Sequence, residues 1–284
     1  MPAGAALIGA SLCVLSASLG GCVQVPERSV LRSGDGSISV PEDSCIVSAA
    51  AASPGLDPAA LSLLSWNIKK GQDETWRRDL KRLSDSRTLL ALQEAVVGPV
   101  DEVTALANRH WSHIEAFLQG NQAAGVLNAA PVKPIGECPE RHAEPLAVVP
   151  KSFLASHYPL ADGHDSLLVV NLHAINFTLG SRAFEAQLAD AISHIESHRG
   201  PAILTGDFNT WSNRRQLVVD RLTASAQLDR VDFGDAQPRP ILGRVLDHVY
   251  YRGLVVNAAE AIPVSSSDHD PLRVEFSLVR EEKP

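Results

Sequence analysis

The sequence predicts an α+β fold in which two β-sheets pack together and are covered by helices. Two observations carry that prediction. Strand-length apolar runs recur from Leu61 to Leu278, and several, such as LLAL at 89–92 and LLVV at 167–170, are apolar at consecutive positions and so suited to burial on both faces. Between them lie segments whose apolar residues repeat at helical spacing, which can cover the outer faces of such sheets.

Taken in order, LSLLSWN (61–67) reads as a strand, 73–84 as a helix with Trp76, Leu80 and Leu83 on one side, and TLLALQE (88–94) as a second strand. Strands and hairpins are expected across roughly 111–160. LLVVNLHA (167–174) is a strand, and 182–198 is an amphipathic helix with Phe184, Leu188, Ile192 and Ile195 along one stripe. PAILTGD (201–207) is the next strand and 213–227 a helix. VLDHVYYRG, LVVNAAEAI and PLRVEFSL then read as strands, the last expected to pair with the strand that begins at Leu61. One domain over 61–280 is the economical organisation for these elements.

The first residues differ from the rest. Ala3 to Gly21 carries no charge, and its apolar part ends in LGGC at 19–22. That ending resembles the signal of an exported bacterial lipoprotein, residues 1–21 being the signal and Cys22 the lipid-bearing first residue of the mature chain. The basic opening usual in such signals is missing from MPAGAA, so an uncleaved anchor is the alternative, although the segment is short for a spanning helix of about 20 apolar residues. The resemblance implies an exported protein, lipid-anchored to the cell envelope or periplasmic or secreted. Residues 22–60, rich in Pro, Ser, Gly and Ala, read as a tether or irregular arm. Cys45 and Cys138 remain for a disulfide, which would pin the arm to the body, or for two buried thiols. The net charge of −8 argues against a protein that coats nucleic acid through its overall field and leaves room for a local basic site.

Polar residues gather where the strands end. In LTGDFNTWS (204–212), Asp207 and Asn209 follow an apolar run at strand spacing, which places both on one face of an extended backbone. A turn would use the same residues. Yet Asn67 and Glu94 close the first two strands, Asn171 and His173 sit near the end of LLVVNLHA, Asp247-His248 interrupts an apolar strand, and Asp268-His269 precedes the last one. A buried carboxylate needs a cation, a donor or water to offset its desolvation, so this recurrence points to a shared polar site.

SWNIKKG, LLALQEA, VVNLHAIN, TGDFNTW, LDHVYY and SDHDPL, in that order, resemble the endonuclease/exonuclease/phosphatase superfamily over about 61–278, and NLHAINFTLG with the RxLDHVYYRG-type segment is similar to its bacterial YafD-like branch. The resemblance implies a four-layer αββα sandwich of the DNase I type and metal-dependent phosphoester hydrolysis with Mg²⁺, or Mn²⁺. Glu94 would be the principal metal ligand, with Asn67 beside it and Asp268 a further contributor. Asp207 would hold or deprotonate water and Asn209 steady the phosphoryl oxygen. His269, oriented by Asp247, would offset charge or exchange a proton, while His173 would donate to the phosphate or leaving group. Asn171 would fix its strand end and Glu144 orient a histidine.

Some positions depart from that pattern. Nucleases of the superfamily often carry Arg before the Glu-Pro matched by Glu144-Pro145, where this chain has Ala143 with Arg141 and His142 nearby. His248 alternates with Asp247 and is read as structural; Trp66 and Trp211 are read as packing residues. The expected substrate is a phosphodiester, with DNA first and a phospholipid or small phosphoester as the alternative, acted on by a monomer that touches the membrane through its anchor if Cys22 is acylated. A catalytically silent, surface-anchored binding module is the reading of another class, and it predicts erosion of the polar positions that all stand here.

Overall fold

The computed structural model describes residues 23–41, 44–48, 55–85, 88–98, 106, 108–161, 163 and 166–279, so the signal-like segment and Cys22 lie outside the described residues. In chain order the elements are β1 (Val23–Gln24), β2 (Ser29–Ser33), β3 (Gly36–Val40), β4 (Ile46–Val47), β5 (Leu61–Asn67), α1 (Trp76–Leu83), β6 (Thr88–Val97), β7 (His110–Gln119), β8 (Gln122–Ala130), β9 (Gly136–His142), β10 (Lys151–Pro159), β11 (Ser166–His173), α2 (Arg182–Ser197), β12 (Ala202–Asp207), α3 (Asn213–Ser225), β13 (Asp229–Arg230), β14 (Asp247–Arg252), β15 (Leu254–Ala261) and β16 (Leu272–Leu278). One sheet runs β15-β16-β5-β6-β8-β7-β2-β3 with β1 also on β7; the other runs β13-β14-β12-β11-β10-β9-β4.

Side-chain alternation decides the layering. Leu61 and Leu63 of β5 meet Leu167, Val169, Ile203 and Val249 of the other sheet in the inter-sheet core. Their neighbours Leu64 and Trp66 point outward instead, onto Trp76, Leu80 and Leu83 of α1. On the second sheet the outward residues Leu168, Val170 and Leu172 are covered by Phe184, Leu188 and Ile192 of α2 and Val218 and Val219 of α3. Helix, sheet, sheet and helix thus form the expected four layers, and both sheets are buried on two faces as their apolar runs required. β16 pairs with β5 antiparallel, placing Leu272 opposite Ser65.

The arm departs from expectation. Residues expected to be irregular instead supply strands: β2 and β3 form a hairpin that extends the first sheet through β7, and β4 adds to β9 on the second. Sheet edges present unpaired N–H and C=O groups, and a polar, Ser-rich segment with alternate apolar residues can satisfy them without contributing a large core. Leu31 and Val40 nevertheless bury against Ile114, Val126 and Leu154. Cys45 and Cys138 are disulfide-bonded with Cα atoms 4.3 Å apart, which ties the arm to β9 across a sequence separation of 93.

Candidate active site

Four strands deliver the site by parity and register. Asn67 shares its inward face with Leu61 and Leu63, His173 with Leu167 and Val169, and Asp207 with Ile203; on each strand one polar residue (Ser65, Asn171, Thr205) lies between the core and the site residue. Pairing sets their level: His173 is opposite Asp207, and Asp207 is opposite Asp247. Asp247 faces inward with Val249, which puts His248 on the other face, between Phe208 and Tyr250. There His248 takes Arg230 at 3.0 Å and Thr210 at 3.1 Å, so it packs as a structural residue.

Glu94 breaks the alternation. Gln93 already points inward, yet Glu94 reaches the same cleft because the β6–β8 register shifts between Leu92 and Ala95 and its φ is 50°. A bulge re-aims one side chain at the cost of a local irregularity. Lys69, Lys70 and Asn209 also have positive φ, so left-handed non-glycine residues cluster around this site, as strained backbone does where geometry is functional. Gly206, with φ 139°, lets β12 approach β11 closely: a Cβ there would lie 1.9 Å from the Leu172 carbonyl oxygen.

Asp207 is the hub. Its Oδ2 accepts a hydrogen bond from Asn67 Nδ2 at 3.0 Å and lies 3.6 Å from His173 Nε2 and 3.9 Å from His269 Nε2. Burial, with the Asp247 charge beside it, pushes the Asp207 carboxyl up from the usual carboxylate range. His269 goes the other way. Burial alone would lower it, but Asp247, 2.7 Å from Nδ1, raises it to about 9 and keeps the ring cationic at neutral pH. His173 is pushed well below its ordinary value by burial and then by the charges of Lys151 and His269. It is therefore neutral, and Lys151 Nζ donates to its Nε2 at 2.8 Å. Nε2 is an acceptor in this arrangement, where the resemblance led us to expect a donor.

The other expected residues have definite places. Asn209 Nδ2 donates to the Ala174 carbonyl and its Oδ1 accepts from Trp211 Nε1, so one of its two amide hydrogens is committed to the loop after β11. Asn67 Oδ1 accepts from the Lys69 N–H. Asp268 sits half-exposed at the rim, paired with Lys69 at 3.1 Å. Asn171 does more than fix a strand end: its Oδ1 accepts from Gln93, and its Nδ2 donates to the Leu92 and Leu127 carbonyls of the opposite sheet. Glu144 departs from the expectation that it orients a histidine, since its Oε1 accepts the N–H groups of Asn176 and Phe177 and so holds the loop after His173. Trp66 is buried and donates to the His269 carbonyl, anchoring that residue from outside the sheet.

Sequence reasoning missed Lys151 and Gln93. Neither carries a local signal: Lys151 opens an ordinary strand, and only the β10–β11 pairing, with Ser152 opposite His173, brings it to the histidine.

The donor set fits a hard divalent cation. Glu94 Oε1 and Asp207 Oδ2 lie 3.9 and 3.6 Å from His173 Nε2, so two carboxylates converge on one atom, while Asn67 turns its amide nitrogen to Asp207 and its oxygen to the Lys69 N–H. Oxygen ligands of this kind suit Mg²⁺ or Mn²⁺. The buried Asp207–Asp247–His269 group also holds its ligand atoms within 4.8 Å of one another. The other compact grouping among the described residues, Cys45, Cys138 and His194, has its sulfurs in a disulfide and offers no thiolate.

The two packed sheets, their helical layers and the polar cleft at the strand ends define a fold of the DNase I type. Residues 64–269 match the model of the Endonuclease/Exonuclease/phosphatase family, and the chain belongs to that family, whose members are nucleases and phosphatases. It is 43% identical over 222 residues to a UPF0294 protein of Vibrio vulnificus (strain YJ016), a match covering 77% of each chain. Among solved structures it is similar to the endonuclease/exonuclease/phosphatase from Beutenbergia cavernae DSM 12333, with a TM-score of 0.60 at 17% identity, covering 78% of this chain and 72% of that one. It is also similar to the human Nocturnin catalytic domain with bound sulfate anion, at a TM-score of 0.58 and 19% identity over 79% of this chain and 96% of that one.

Proposed function

We propose that the protein hydrolyses phosphodiester bonds with the aid of Mg²⁺ or Mn²⁺. The observation that carries this reading is the opposed tuning of groups gathered about one oxygen: Asp207 Oδ2, on a carboxyl pushed towards holding a proton, has within 3.9 Å one histidine held cationic and one held neutral. Environments that drive titratable groups apart in this way assign acid and base roles at neutral pH.

A phosphodiester anion repels a nucleophile, so hydrolysis needs charge neutralised, water activated and the departing oxygen stabilised. Glu94 and Asn67 would hold the cation, which when bound neutralises phosphoryl oxygens. Asp207 takes the proton of the attacking water at Oδ2. The His269 imidazolium, held by Asp247, and the Lys151 ammonium, held at His173, supply fixed positive charge on either side of the phosphoryl group. Asn209, which gives one amide hydrogen to the Ala174 carbonyl, would offer the other to a phosphoryl oxygen.

The test is hydrolysis of bis-p-nitrophenyl phosphate by the full chain with Mg²⁺ or Mn²⁺, against EDTA and Asp207→Ala. Metal-dependent turnover that falls by about 10³-fold in Asp207→Ala is expected. Mg²⁺ binding by calorimetry without turnover of any diester would replace this reading with a silent binding module.

A further inference from the structure

The loops that follow the site strands bring apolar side chains to the mouth of the cleft. Segment 143–150 leads from β9 into Lys151, and segment 174–181 leads away from His173. Glu144 binds the second loop, and the Leu146 N–H donates to the Phe177 carbonyl, so the two loops form one scaffold. What that scaffold turns to solvent is apolar: Leu146 and Val148 are each 58% exposed, Phe177 57% and Leu179 84%. A further tip, Leu242, is 90% exposed in the turn closed by Ile241 and Arg244. That turn belongs to the same end of the molecule, since the Phe208 N–H, next to Asp207, donates to the Leu246 carbonyl. Large apolar tips set around a polar cleft mark an interaction surface.

A separate observation names what covers it. Val25 and Pro26, just after β1, line a cavity of about 290 Å³ with Ala147, Val148 and Pro150 of the first loop. Pro150 also lines a smaller cavity, of about 50 Å³, that opens onto Lys70, Glu94, Lys151 and His173. The described chain thus begins, at Val23, beside the first apolar loop, whose Pro150 borders the cleft. The chain before Val23 is uncharged from Ala3 to Gly21 and ends in Cys22. The uncharged segment is therefore joined to the body at Val23, next to the cavity that Val25 and Pro26 share with the first apolar loop.

We propose that this face docks on a lipid bilayer and that the phosphodiester cleaved there is carried by a bilayer lipid; the substrate part rests on the phosphodiesterase reading above. With a net charge of −8, docking draws on apolar insertion rather than on a polybasic surface. Lys70 and Lys151 line the smaller cavity beside Glu94 and His173, where a headgroup phosphate would sit. Nucleic acid asks for a broad cationic track or a row of aromatic platforms, and the tips at this mouth are mainly aliphatic.

The test uses the full chain reconstituted into phosphatidylethanolamine/phosphatidylglycerol vesicles. Leu179→Trp and Leu242→Trp, made separately, should each give an indole quenched by brominated acyl chains beyond the wild-type signal. Indoles no more quenched than wild type would overturn the docking. In parallel, the double variant Leu179→Ser/Leu242→Ser should lose at least ~10-fold of its rate on the vesicle lipids and keep its rate on bis-p-nitrophenyl phosphate. Equal rates for variant and wild type on vesicles, or cleavage of duplex DNA in preference to vesicle lipid, would overturn the substrate assignment. Absence of turnover on every diester would fall on the phosphodiesterase reading instead, because the indoles report docking without catalysis.

Discussion

Replacing Asp247 by Asn should remove a pH-dependent contribution to stability that the wild type draws from its contact with His269. Asp247 Oδ2 lies 2.7 Å from His269 Nδ1, and both side chains are buried. In the folded state His269 holds its proton to about 9, against 6.5 for the ordinary imidazole, and after the opposing effect of burial the Asp247 charge is the largest favourable cause. A proton held that much more tightly corresponds to about 3 kcal/mol. The sign follows from the raised folded value: the stabilisation is fully present below pH 6.5 and is lost as pH rises through about 9. Urea unfolding in EDTA, so that no cation competes, should therefore place Asp247→Asn about 3 kcal/mol below wild type at pH 6, with the gap closing to under about 1 kcal/mol at pH 10. The His269 ring proton resonance should titrate near 9 in wild type and well below it in the variant. An equal gap at both pH values would show that Asp247 acts through packing or backbone pairing, and the charge reasoning would be wrong.

Other outcomes follow from the same structure. Asn171→Ala removes three buried inter-sheet hydrogen bonds, so unfolding in urea should show a loss of about 3–5 kcal/mol; a loss below about 1 kcal/mol would mean that water replaces the side chain. Glu137 is raised to about 7 chiefly by burial, against 4.5 for the ordinary carboxyl, so the cost of keeping it buried appears as pH rises from 4.5 to 7. Glu137→Gln should accordingly gain on wild type by about 3 kcal/mol between pH 4.5 and pH 8, and a pH-independent difference would contradict this. Cys45→Ser/Cys138→Ser opens a loop of sequence separation 93, and the chain-entropy account expects a loss of about 4–5 kcal/mol, read from the urea midpoint against wild type.

Much of the site was legible because strand geometry is regular. An inward apolar residue at i predicts an inward residue at i+2, so LLVVNLHA, PAILTGD and LSLLSWN already named His173, Asp207 and Asn67 as the positions where core gives way to cleft. Glu94 was found as a strand-end acid, but its adjacency to inward-facing Gln93 is explained only by the bulge, which depends on the partner strands. The arm was misread because edge strands draw their stability from the sheet they join, and a Ser- and Gly-containing segment shows little of that in its own composition.

What the sequence by itself determined is the layered α+β architecture, the order of its elements and the set of polar residues that meet at the strand ends. Periodicity and burial cost are local properties, and each residue reports its own share. The tertiary structure alone decided the charge states and the orientation of the site. Lys151 meets His173 only through the β10–β11 register, and the opposed tuning of His173, Asp207 and His269 arises from burial and neighbours distant in sequence. It also decided that Val25 and Val148, far apart in sequence, line one cavity whose Pro150 borders the cleft. Electrostatic interactions and exposed surface depend on distance in space, which chain order does not encode.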